Sequence, residues 1–133
     1  VFHHDALVLD KWFSIQASST LPSTINTIKE LLQHKHFVWT NPNRVRSVIA
    51  SFAWQNPLRF HDLSGEGYQL LTDAILYIDS MNPQLAARLC EPLSQWKRHI
   101  EPRQKLMRQE LERIAQKSGL SKDTYEIVSK SLN

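Results

Sequence analysis

The chain has one cysteine, three glycines and no apolar run approaching the roughly 20 residues that a membrane span needs. Each scarcity excludes something. Cys90 has no partner for an internal disulfide, and its place beside Leu89 in an apolar stretch marks it as a small core residue rather than a nucleophile. A reducing cytoplasm fits that usage, and no basic-then-apolar leader is present, so the expected localisation is cytoplasmic with no membrane span. Gly65, Gly67 and Gly119, with five of the six prolines at places where a helix would begin, serve as punctuation. No segment alternates with period two for long enough to make a strand, which leaves an all-α class.

Catalytic patterns are missing as well. No histidine is followed by glutamate as a His-Glu-x-x-His zinc motif requires, and His34-x-His36 lies at a helix end without a nearby acidic third ligand. His3-His4-Asp5 places adjacent side chains about 100° apart on a helix, too divergent to share one metal easily. There is no Gly-x-Ser-x-Gly elbow, no marked histidine partner for Cys90 and no carboxylate cluster for acid–base work. The glycines of Ser64-Gly65-Glu66-Gly67 do not make a phosphate loop, because no strand precedes them and no Lys-Ser or Lys-Thr follows. This chain is therefore expected to carry neither catalytic residues nor metal ligands. Charge offers one further temptation. Lys97 to Lys122 holds eight basic residues against three glutamates, inside a net charge of +3. That segment lacks Phe, Tyr and Trp for base stacking, and its basic residues alternate with Glu101, Glu110 and Glu112 in helical spacing, so a solvated helix face is expected and no nucleic acid.

What the sequence does contain is a repeat. Asn41-Pro42 and Asn82-Pro83 each open an apolar-periodic stretch, with Arg46 and Arg88 following the proline at four or five residues. Asparagine accepts from the first free amides of a helix, and proline fits the first position because it lacks the amide that would go unpaired. A period near 40 is what two helices and two turns require. Periodicity predicts helices at about 5–17 (Leu9, Trp12, Phe13, Ile15 apolar), 23–34 (Ile25, Ile28, Leu31, Leu32) and 42–54 (Val45, Val48, Ile49, Phe52, Ala53), with a short turn of helix from Pro57 to His61. After the one real loop, at 62–67, come helices at about 67–80 (Leu70, Leu71, Ala74, Ile75, Ile78), Pro83–His99 and Pro102–Ser118 (Leu106, Met107, Leu111, Ile114). Gly119 is expected as a left-handed C-cap, and Ser121 caps a last helix bearing Tyr125, Val128 and Leu132. The expectation is one helical-repeat domain over 1–133, about eight helices in stacked antiparallel pairs, an armadillo- or HEAT-like superhelical array. Because the chain starts at Val1 rather than methionine, it is expected to be a piece of a longer polypeptide.

The helix from Pro83 carries a polar face of Gln84, Arg88, Glu91 and Gln95 opposite a ridge of Leu85, Leu89, Leu93 and Trp96. Pro92 falls inside it and frees the Arg88 carbonyl, which implies a kink tolerated for shape or for a cavity. The same residues also fit a solvated face with an Arg88–Glu91 pair.

Three strings carry a family resemblance: Phe2-His3-His4-Asp5-Ala6-Leu7-Val8-Leu9-Asp10-Lys11-Trp12-Phe13, Asn41-Pro42-Asn43-Arg44-Val45-Arg46-Ser47, and Asn82-Pro83-Gln84-Leu85-Ala86-Ala87-Arg88-Leu89 with Glu91-Pro92-Leu93. Together with Lys97-Arg98 and the Tyr125 helix, they resemble the C-terminal helical domain of bacterial aminopeptidase N, a zinc-dependent family that removes N-terminal residues from peptides. The resemblance implies a C-terminal fragment of a larger aminopeptidase whose zinc ligands and general base lie in an upstream catalytic domain, the partner of this one. It implies that Gln84 and Arg88, and also Arg46, face the substrate cavity and meet the peptide, and that the fragment is inactive alone. The alternative is a stand-alone helical-repeat module whose concave face holds a peptide or protein.

Overall fold

Both asparagine–proline pairs begin helices by the expected mechanism. Asn41 Oδ1 accepts from the amides of Asn43 at 3.1 Å and Arg44 at 3.2 Å, and Asn82 Oδ1 accepts from the Leu85 amide at 3.1 Å. In the computed structural model residues 6–133 are described. The His3-His4-Asp5 motif and the expected first residue of the first helix lie outside them.

Two compact units divide the chain, the first ending at Phe60 and the second running His61–Asn133. The first contains α1 (Ala6–Ala17), α2 (Thr24–Leu31), α3 (Pro42–Val45), a π-helical turn (Arg46–Ala50), α4 (Ser51–Gln55) and α5 (Pro57–Phe60). The second contains α6 (Glu66–Asp79), α7 (Pro83–Leu89), α8 (Glu91–Ser94), a 3-10 turn (Trp96–Arg98), α9 (Glu101–Ala115) and α10 (Lys122–Leu132). With α3 through α4 read as one continuous helix, and α7 and α8 as parts of one expected helix, this is the all-α arrangement of about eight helices that the periodicity predicts. No strand occurs among the described residues.

In the first unit α1 packs on α2, on α3 and α4 and on the π-helical turn between them. Val45, Val48, Ile49, Phe52 and Ala53 are all buried, as the stripe predicts. The π-helical turn coincides with Ser47, whose hydroxyl donates to the Arg44 carbonyl at 2.6 Å and so competes for an acceptor of the helical ladder. Polar clamps then fix α1. Buried Arg44 donates from Nε to Asp10 Oδ1 at 2.6 Å and from Nη1 to the His36 carbonyl, and its guanidinium lies 5.3 Å from the centre of the Phe13 ring. Asn56, fully buried, donates to the carbonyls of Ala17 at 3.0 Å and Ser19 at 2.7 Å. The expected apolar face of α1 needs correction: Phe13 is buried, but Trp12 is 41% and Ile15 59% exposed, because the first unit covers the opposite side of the helix.

In the second unit α6 packs on α7 and α9, and α10 lies against α7, α8 and α9. Leu71, Ile75, Ile78, Leu93, Met107, Leu111, Ile114 and Val128 are fully buried, while Tyr125 of α10 points outward. Gly65, at φ +78°, starts α6, and a Cβ there would come within 3.3 Å of the Leu106 side chain. Two expectations are revised. The helix from Pro83 is not continuous to His99: it ends at Leu89, Cys90 donates to the Ala87 carbonyl at 3.2 Å, and Pro92 stands in the first turn of α8, where its missing amide costs nothing. Gly119 does have φ +77°, yet it sits in the turn closed by the Leu120 amide on the Lys117 carbonyl, after α9 has already ended at Ala115.

Candidate functional site

On α7 the burial of Leu85, Ala86, Ala87 and Leu89 turns Gln84 and Arg88, four residues apart, outward on one face. On α10 the burial of Thr124 and Val128 does the same for Asp123 and Glu126. The two faces line an open cleft of about 400 Å³ formed by Gln84, Ala87, Arg88, Asp123, Glu126 and Ile127. Arg88 makes no ion pair among the described residues, so the Arg88–Glu91 pair that the spacing allows is not formed. The physical reason is the break at Cys90, after which Glu91 begins a separate helix. Of the three residues that the resemblance implies for a substrate cavity, the cleft brings together Gln84 and Arg88. Arg46 belongs to the first unit, exposed, with Nη2 donating to Asn43 Oδ1 at 2.8 Å.

The cleft depends on how α10 is anchored. Asp79, 5% exposed at the last turn of α6, accepts from the Ser121 amide at 2.8 Å, the Ser121 hydroxyl at 2.6 Å and the Thr124 hydroxyl at 2.6 Å. Burial alone would raise its pKa, but the bonds from Ser121 and Thr124, helped by the charge of Lys117, outweigh it and leave the value lowered. Ser121 also caps α10 as expected, accepting from the Thr124 amide at 3.2 Å. Cys90 is fully buried, and burial, with the negative charge of Asp79, pushes its thiol up to about 12; it is the inert core residue that the sequence implies.

Local spacing in the sequence does not single out Asp79, Asp123 or Glu126. For Asp79 a signal exists: an acid at a helix C-terminus opposes the helix dipole and so calls for compensating donors. A second polar cluster is likewise not singled out. His61 Nδ1 lies 2.7 Å from the Tyr68 hydroxyl, the rings of His61 and His99 stack at 4.4 Å, and Arg103 Nε donates to the His61 carbonyl at 2.7 Å. Burial, followed by the charges of His99 and Arg103, brings the His61 pKa down to about 4, and burial takes that of Tyr68 up to about 12.

An exposed guanidinium without an internal acid offers a planar fork to a carboxylate or carbonyl, and the facing carboxylates of Asp123 and Glu126 accept from an ammonium or amide. That is binding chemistry. Among the described residues no three His, Cys, Asp or Glu side chains converge so as to hold a metal ion, and no helix is long and apolar enough to cross a membrane.

The chain is 47% identical over 98% of its length to aminopeptidase N of Caulobacter vibrioides, and 44% identical over 98% to aminopeptidase N of Escherichia coli. It spans only 16% and 15% of those two proteins. A crystal structure of Legionella pneumophila aminopeptidase A in complex with aspartic acid superposes with a TM-score of 0.93 at 38% identity, covering 98% of this chain and 15% of that one. The resemblance noted in the sequence is thus to one part of a much longer protein. The family described as "Domain of unknown function (DUF3458_C) ARM repeats" matches residues 1–133, and the chain belongs to that family.

Proposed function

We propose that this chain is the C-terminal helical domain of a zinc aminopeptidase that removes N-terminal amino acids from peptides, and that it caps the active site and lines the substrate cavity. The observation that carries the proposal is the 44–47% identity, over nearly the whole chain, to one part of aminopeptidase N from three bacteria. The unpaired Arg88 beside Gln84 supports the cavity role, since a buried or ion-paired arginine would have no fork to offer. Arg46, of the first unit, is proposed as a further residue that meets the peptide. The described residues do not fit a zinc site, so zinc and the general base are assigned to an upstream catalytic domain of the same cytoplasmic polypeptide. The 133 residues alone are then inactive.

In the full-length enzyme Arg88 meets polar groups of a peptide beyond its first residue, which small aminoacyl amides lack. A charge-assisted hydrogen bond is worth about 1.5–3 kcal/mol, so Arg88→Ala lowers kcat/KM for a tripeptide roughly ten- to a hundred-fold and leaves an aminoacyl anilide nearly unchanged. Arg88→Lys recovers part of the loss, because an ammonium lacks the fork. Equal, small effects on both substrates defeat the cavity role of Arg88 and, with it, that of Gln84.

A further inference from the structure

The charged residues of the cleft between α7 and α10 face each other without pairing. Arg88 stands on the α7 wall, and Asp123 and Glu126 stand on the α10 wall. None of the three makes an ion pair among the described residues. Glu126 is four residues from Lys122 and four from Lys130, the spacing at which helical ion pairs form, yet it pairs with neither. Asp123 and Glu126, three residues apart on α10, share one face, where like charges repel each other. A cation between them relieves that repulsion.

The apolar lining narrows the choice of cation. Buried Ala87 and half-buried Ile127 lie among the charged residues, in a cleft of about 400 Å³. A lysine or arginine side chain runs its aliphatic stem along such a surface and leaves its charged head at a polar rim. Arg88 on the far wall repels that head and so keeps it on the α10 side. A metal ion fits less well, since no three His, Cys, Asp or Glu side chains converge among the described residues. Under the proposed function the amino terminus of a peptide is held in the catalytic domain, so a cation that reaches this cleft belongs to a side chain further along. We infer that Asp123 and Glu126 select peptides carrying lysine or arginine beyond the first residue. The cationic side chain lies over Ile127 and Ala87, while Arg88 and Gln84 meet the peptide's carbonyls or terminal carboxylate. The inference rests on the cavity role proposed for Gln84 and Arg88 and adds to it a substrate class.

The test measures kcat/KM of the full-length enzyme, from initial release of alanine, on Ala-Lys-Lys, Ala-Gln-Gln, Ala-Glu-Glu and alanyl anilide. Two exposed ion pairs favour the lysine peptide over the glutamine peptide by roughly three- to twentyfold, and high salt shrinks the ratio. Asp123→Asn with Glu126→Gln brings the ratio to within about twofold of unity and leaves Ala-Gln-Gln unchanged, and Asp123→Lys with Glu126→Lys turns the preference toward Ala-Glu-Glu. These substitutions spare Ser121 and Thr124, which anchor α10 to Asp79. Glu66→Gln with Glu101→Gln removes the same charge at exposed positions outside the cleft and keeps the wild-type ratio. The inference is overturned if the wild type shows no lysine preference, if the preference survives loss of both acids, or if the Glu66 and Glu101 control abolishes it equally. An enzyme that cleaves the anilide and treats all three tripeptides alike loses this inference and keeps its peptidase assignment, whereas one that releases alanine from none of the four loses both.

Discussion

Replacing Asp79 by alanine removes the single acceptor that fastens the start of α10 to the end of α6. Three donors lose their partner: the Ser121 amide and hydroxyl and the Thr124 hydroxyl, at 2.8, 2.6 and 2.6 Å. They are not equal. Ser121 is half-buried and regains water when the carboxylate goes, whereas Thr124 is fully buried and its hydroxyl stays unsatisfied. One stranded buried group costs about 1–3 kcal/mol, and hydrogen bonds to a charged acceptor are worth about 1.5–3 kcal/mol each before solvent compensates. A total of about 3–5 kcal/mol follows, most of it local to α10. Cys90 reports the effect, because it is fully buried at the junction of α7 and α8, on both of which α10 packs, and burial pushes its thiol pKa up, so the closed state is unreactive. If labelling proceeds through an opening that frees α10, Asp79→Ala accelerates reaction of Cys90 with a thiol reagent by roughly two to four orders of magnitude, at 1.36 kcal/mol per tenfold. Asp79→Asn, which keeps an acceptor oxygen, falls between the two. Urea denaturation of the same proteins gives the global share of the loss. An Asp79→Ala protein that labels within tenfold of wild type refutes the anchoring role and, with it, the account of how α10 presents Asp123 and Glu126.

The acid response is expected to run through His61. Its folded pKa of about 4 lies below the ordinary 6.5, so its contribution is fully present above pH 6.5 and lost as pH falls toward 4; His61→Gln flattens the melting temperature across that window, and an unchanged slope rejects the assignment. Asn82→Ala removes the cap on α7 and costs about 1 kcal/mol, read as a lower urea midpoint at constant slope; a change below about 0.3 kcal/mol would mean that the Leu85 amide finds water equally well. The Arg88→Ala kinetics test the substrate cavity.

Local chemistry was legible wherever a residue's role depends on its immediate neighbours. Asn41, Asn82 and Ser121 cap helices because a side-chain oxygen one turn from free amides needs no tertiary partner, and the stripe from Val45 to Ala53 is buried because its spacing leaves one apolar side. The same logic identified Cys90 as core and placed Gln84 and Arg88 on one face. It failed where two local solutions compete. Pro92 fits a kinked helix interior or the first turn of a new helix, and only the packing of α8 against α9 and α10 decided for the second. On α1 periodicity put Trp12 and Ile15 inward with Leu9 and Phe13, and the contacts with α2, α3 and α4 buried Phe13 and Ala17 instead. Asp79 met Ser121 and Thr124 across more than forty residues of chain, a pairing that no local spacing encodes. The sequence by itself therefore determined the helices, their starting caps and the all-α class, since those follow from interactions within a turn or two. Tertiary structure alone decided which face of α1 is covered, where the α7 helix ends and which acids stand beside Arg88, because each depends on groups that only the folded chain brings together.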